Sequence, residues 1–101
     1  MTAAPTRIVV LADDLIWSTR LVAQLRAAGA EPDAVRDATA FAGALAGADG
    51  AVVDLTARAY DGTAALGTAR DRGIPVIAVA QHDDAPLRHA ARAAGATRAL
   101  A

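Results

Sequence analysis

Residues 52–62 read VVDLTARAYDG, a short apolar run that stops at a carboxylate, Asp54, and passes into a polar loop closed by Asp61 and Gly62. A brief, continuous run of this kind suits a strand covered on both faces, as strands in a parallel sheet are. Two further runs share the character: Arg7-Ile8-Val9-Val10-Leu11 and Pro75-Val76-Ile77-Ala78-Val79-Ala80. Between the runs, apolar residues recur at helical spacing: Trp17, Leu21 and Leu25, then Phe41 and Leu45, then Leu66 and Ala69. One side of each such helix would pack on the sheet. Gly29, Gly73 and Gly95 stand just past these patterns, where a residue free to take positive φ ends a helix, and Asp37 and Asp84 stand where caps begin one.

The expected order is β1 (7–12), α1 (15–28), β2 (32–36), α2 (38–47), β3 (50–55), α3 (62–72), β4 (75–80), α4 (85–94) and β5 (97–101). The segment RAAGA at Arg26 to Ala30 recurs at Arg92 to Ala96, each time between a helix and a strand, so one αβ turn is used twice. Strict alternation with right-handed crossovers gives a doubly wound parallel α/β sheet. At 101 residues the chain is a single domain, 1–101, with room for one modest core.

Composition narrows the function. The chain is 54% hydrophobic and 21% charged with net charge -1, which is globular and lacks the basic excess of nucleic-acid binders. It has no cysteine, hence no disulfide, thiolate nucleophile or Cys-bound zinc. No apolar run approaches the ~18 residues that span a bilayer, and no signal-peptide segment opens the chain, so a cytoplasmic protein is expected. Alanine fills 30 of 101 positions, so helices and strands can approach closely. All ten basic residues are arginine and none is lysine.

In a doubly wound sheet, ligands sit beyond the carboxyl ends of the strands. That rule gathers Asp13 and Asp14 after β1, Asp54 at the end of β3, and Gln81, His82, Asp83 and Asp84 after β4 along one edge. Clustered carboxylates raise one another's pKa unless a cation intervenes, and Mg²⁺ accepts oxygen ligands at such an edge. A divalent cation at this edge is the expectation. Aspartates in βα loops also cap helices and solvate turns, the favoured reading for Asp83 and Asp84.

The acidic pair Asp13-Asp14, the lone Asp54 and the following Asp61-Gly62 resemble the receiver domains of bacterial response regulators, the CheY-like superfamily. IPVIAVAQ at 74–81 is similar to their β4, and AAGATRALA at 93–101 to the approach to β5 and the strand itself. The resemblance implies a three-layer, five-stranded sheet of order 2-1-3-4-5, Mg²⁺ held by the acidic pair, and a phosphoryl group accepted by Asp54 from a histidine kinase. Such chemistry needs an in-line nucleophile and cations more than covalent machinery.

The chain departs from that pattern. The hydroxyl residue expected at the end of β4 is Ala80, and the nearby hydroxyl, Thr56, lies on another loop. The position of the lysine expected just after β5 falls beyond Ala101, and no other lysine stands in the chain to replace it; Arg98 is the nearest cation in sequence, and guanidinium is no simple replacement for ammonium. Arg58 stands where receivers commonly carry proline, and the terminal helix α5 is missing from the pattern. Losing one preorganised oxyanion donor typically costs about 2.7 to 4 kcal/mol, so losing two weakens a phosphorylated state greatly.

The favoured reading is therefore a degenerate, atypical receiver, a pseudo-receiver that is not an enzyme and serves as an interaction module in two-component or phosphorelay signalling. Its partners would be other signalling proteins, a histidine kinase or a second copy in a homodimer, with no nucleic acid and no membrane. The alternatives are a working Mg²⁺-dependent phospho-acceptor on Asp54 and a flavodoxin-like binder of a small ligand or cofactor. Against the last, LADDL at 11–15 presents two negative charges where a phosphate cradle would want Ser, Thr and Gly.

The remaining chemistry-bearing residues have plainer readings. His82 and His89 are seven apart, wrong for a helical zinc pair. Ser18 can be written into a triad with His82 but lacks the glycine context of a nucleophile elbow. Trp17 is expected in the core, with covering the pocket or contacting a partner as the alternative, and Tyr60 is a lone loop aromatic, a weak sign whose one candidate role is to ring an interaction patch.

Overall fold

The computed structural model describes residues 6–80 and 85–100. Five strands and four helices alternate: β1 (Arg7–Leu11), α1 (Leu15–Ala27), β2 (Glu31–Val35), α2 (Ala38–Ala44), β3 (Gly50–Asp54), α3 (Gly62–Asp71), β4 (Val76–Val79), α4 (Ala85–Ala93) and β5 (Arg98–Leu100). All neighbouring strands are parallel, in the order β2-β1-β3-β4-β5. The expected elements are all present, with ends differing by up to three residues.

β1, β3 and β4 alternate their side chains between two cores, which is why both faces of these central strands read apolar. Val9, Leu11, Ala51, Val53, Val76 and Ala78 pack with Phe41, Leu45, Leu66, Ala69 and Ala91 from the α2, α3 and α4 side. Val10, Val52 and Val79 pack with Leu21, with Trp17 and Leu25 beside them. The sheet thus has helices on both faces. Among the described residues α1 is the only helix seen to contribute to the second core, and β5 is the last element. An open groove of about 280 Å³ remains on that face, walled by Ile8, Leu25, Val52, Pro75, Ile77 and Thr97.

Strand β2 lies at the edge, where Pro32 costs no interior ladder bond. Arg7 ties its neighbour to it through Asp33 at 2.9 Å; both side chains are more than a third exposed, so the pair contributes little. Helix α2 stops at Ala44 rather than at 47, because Leu45 caps it and Gly47 turns the chain with φ +77.

The repeated RAAGA segment does form one turn twice. Gly29 N–H donates to Arg26 O and Ala30 N–H to Leu25 O, while Gly95 N–H donates to Arg92 O and Ala96 N–H to Ala91 O. Gly73 and Ile74 make the same pair of bonds to Arg70 and Ala69. This is the two-bond helix stop that needs a positive φ at its glycine, and the three glycines have φ of +89, +118 and +69 in the order named.

Candidate functional site

The carboxyl ends of β1 and β3 are adjacent, since Leu11 pairs in register with Val53, so Asp13 and Asp54 meet at one rim. Asp54 is fully buried and is the only charged residue among the buried ones described. Its Oδ1 accepts from Thr56 N–H at 3.0 Å and from Thr56 Oγ1 at 2.7 Å. The hydroxyl that looked misplaced in the sequence therefore serves this carboxylate directly, across a turn of two residues.

Asp13 sits across from the β3–α3 loop and uses its Oδ2 to accept two successive amides, Arg58 N–H at 3.3 Å and Ala59 N–H at 3.2 Å. Arg36, just past β2, donates from Nη2 to the Asp13 carbonyl at 3.3 Å. A proline at position 58 would have no N–H to give, so the arginine that departs from the receiver pattern supplies one of the two contacts. Asp14 caps α1, accepting from Trp17 N–H at 2.9 Å. Asp61 caps α3 in the same way through Ala64 N–H at 3.1 Å, and Gly62 lets α3 begin close to β3, for a Cβ there would lie 3.0 Å from Leu55 Cδ2.

Tyr60 is the residue that sequence reasoning missed. Its hydroxyl lies 2.6 Å from the carbonyl of Asp54 and 3.0 Å from that of Leu11, so one proton is shared between the ends of two strands. Burial raises its pKa above the ordinary phenol value, and the negative charges of Asp54 and then Asp13 push it further the same way. The ring packs against the core that contains Ala65. One signal was available: Tyr60 immediately precedes the cap of α3, where an apolar residue often packs on the fourth helical position, here Ala65.

Ala80 follows β4 and is 1% exposed, a buried methyl one step past the level of Asp54, which pairs with Val79. Trp17 lies in the α1-side core as expected, and its buried Nε1 finds no acceptor among the described residues. His89 is exposed on α4. Gln81, His82, Asp83 and Asp84 lie outside the described residues.

A divalent cation of the kind the resemblance implies would meet Asp13 and Asp14 each already engaged through one carboxylate oxygen. Asp13 is turned onto the loop amides and Asp14 onto its own helix. Among the described residues, no group of three or more His, Cys, Asp or Glu side chains is placed to hold a metal ion.

Sheet order, crossovers and rim define the receiver, or CheY-like, fold. The chain is similar to the receiver domain of a Francisella response regulator, with 19% identity over 94% of this chain and 82% of that one and a TM-score of 0.79. It is also similar to the signal receiver domain of a DNA-binding response regulator from Colwellia psychrerythraea, with 19% identity, 92% and 82% coverage and a TM-score of 0.81. A Burkholderia pseudomallei response regulator, solved with a phosphorylated aspartic acid, a calcium ion and citrate, superimposes with a TM-score of 0.82 at 14% identity, over 94% of this chain and 58% of that one. No family model matches the sequence, and no curated protein matches it. Among the described residues, no helix is long and apolar enough to cross a membrane.

Proposed function

We propose that this chain is a receiver-like signalling domain that works through contacts with other proteins, catalyses no reaction of its own, and has lost an effective phosphate switch. The observation that carries the reading is the buried methyl of Ala80, one step past the strand position that pairs with the buried Asp54. A phosphoryl group on Asp54 would find no hydroxyl at the end of β4, where the chain carries Ala80. By the usual worth of one preorganised donor, about 2.7 to 4 kcal/mol, that loss lowers the stability of such a state by about two orders of magnitude or more. The receiver fold supports a place in signalling, with a histidine kinase or a second copy of the chain among the partners of this class. The net charge of -1 disfavours nucleic acid.

The test is a calorimetric titration with Mg²⁺ and then with beryllofluoride, comparing the parent with Asp54→Asn. The expected result is no saturable binding of the phosphoryl mimic by either protein. Saturable binding by the parent that Asp54→Asn abolishes would replace this reading with that of a working Mg²⁺-dependent phospho-acceptor.

A further inference from the structure

The β3–α3 loop, residues 55–61, is fastened to the rim at three points. Thr56 is held by Asp54 through main-chain N–H and side-chain hydroxyl. Arg58 and Ala59 are held by Asp13 through consecutive amides. Tyr60 is held by the carbonyls of Leu11 and Asp54. Two of the three fastenings reach across to the β1 end of the sheet, over sequence separations of 45 to 49 residues, so they tie the loop to a neighbouring strand rather than to itself.

Consecutive amides converging on one carboxylate oxygen present a fixed positive end to it, a role that a bound cation would otherwise fill. The Tyr60 hydroxyl is committed to the same place, lying 3.0 Å from the Leu11 carbonyl and 2.6 Å from that of Asp54. Its ring anchors the hydroxyl in the core, so the loop is gripped from below by packing and from the side by Asp13.

We infer that Asp13 and Tyr60 form a latch that fixes the β3–α3 loop in one conformation over the ends of β1 and β3 without a metal ion. The surface formed by residues 56–60 is thereby preset, and Tyr60 acts as its positioning residue. The latch goes beyond the signalling reading and does not rest on it, since it concerns how the loop is held and not what the loop meets.

The measurement is amide hydrogen exchange, resolved by residue, on the full chain and on Asp13→Asn and Tyr60→Phe, with and without millimolar Mg²⁺. The Val53 amide, inside β3, reports global stability. In Asp13→Asn the Arg58 and Ala59 amides should exchange about tenfold faster relative to Val53, the scale set by replacing a charged acceptor with a neutral one. In Tyr60→Phe, which keeps the ring and removes only the hydroxyl, both amides should also speed up relative to Val53. Mg²⁺ should leave the parent's two rates unchanged. Parent-like rates at Arg58 and Ala59 in Tyr60→Phe would overturn the latch, and so would a shift of the parent's rates by Mg²⁺ in either direction. Should Asp13→Asn fail to fold, Tyr60→Phe decides alone. Asp54-dependent binding of beryllofluoride would defeat the signalling proposal and leave the latch standing, so the two failures are distinguishable.

Discussion

One hydroxyl, that of Tyr60, links the ends of two strands, reaching Leu11 across 49 residues of sequence, and no local pattern announces such a link. Its protonation has a measurable consequence. The folded state holds the phenol pKa above its ordinary 10.0, so folded protein keeps a proton that unfolded chain releases. Stability from this source is complete below pH 10 and falls as the pH rises past it, with a slope of at most about 1.4 kcal/mol per pH unit, the limit for one proton. The chain has one tyrosine, no cysteine and no lysine, so no other side chain has its ordinary pKa in that alkaline window. Urea unfolding between about pH 9 and about pH 11 should therefore show a falling midpoint in the parent and a flatter one in Tyr60→Phe. Parallel curves would mean that the phenol titrates alike in both states. Asp54 was legible as the polar end of a strand, because an apolar run stops there; what its carboxylate holds was not, since Thr56 reaches it only once the turn is made.

At the scale of elements, the repeated RAAGA turn separates backbone demand from crowding. Gly29 and Gly95 occupy the same place in the same helix stop, with φ of +89 and +118. A Cβ at Gly29 would meet nothing within 4 Å, whereas one at Gly95 would lie 2.6 Å from Arg70 Cδ and 3.0 Å from Arg70 Cβ. Gly29→Ala should then cost the backbone term alone, about 1 to 2 kcal/mol. Gly95→Ala should add an overpacking term of about 1 to 3 kcal/mol, because the Arg70 stem, whose Nη1 donates to Ala94 O, has to move. Equal losses in urea unfolding would show that Arg70 yields freely. The turn itself was readable from the sequence because both copies carry glycine at the position that requires it. The crowding was not readable, for Arg70 belongs to α3 and meets the second copy only through the fold. The same limit explains α2, whose apolar spacing suggested residues to 47 while Gly47 turns the chain.

Across the whole molecule, the alternation of continuous apolar runs with helical spacing was enough to specify a wound parallel sheet and to bring Asp13 and Asp54 to one rim, because strand ends on a parallel sheet share a side. Side-chain commitments at that rim follow from distances that only the packed chain sets. Packing also makes the two faces of the sheet unequal, and their energetics should differ accordingly. Leu66 is wholly buried in the core that α2, α3 and α4 cover, so Leu66→Ala leaves an enclosed void and should cost about 2 to 5 kcal/mol. That is a large share of the roughly 5 to 15 kcal/mol that holds a domain of this size together. Ile77 is half-buried in the wall of the open groove, where water fills the space that a shortened side chain vacates. Ile77→Ala should cost below about 1.5 kcal/mol, since the cavity term disappears and part of the transfer term was never gained. Urea midpoints of the two variants, measured at two protein concentrations, check the asymmetry. An Ile77→Ala loss as large as that of Leu66→Ala would mean that the groove is filled in solution, and a midpoint that rises with protein concentration would identify a second copy of the chain as what fills it.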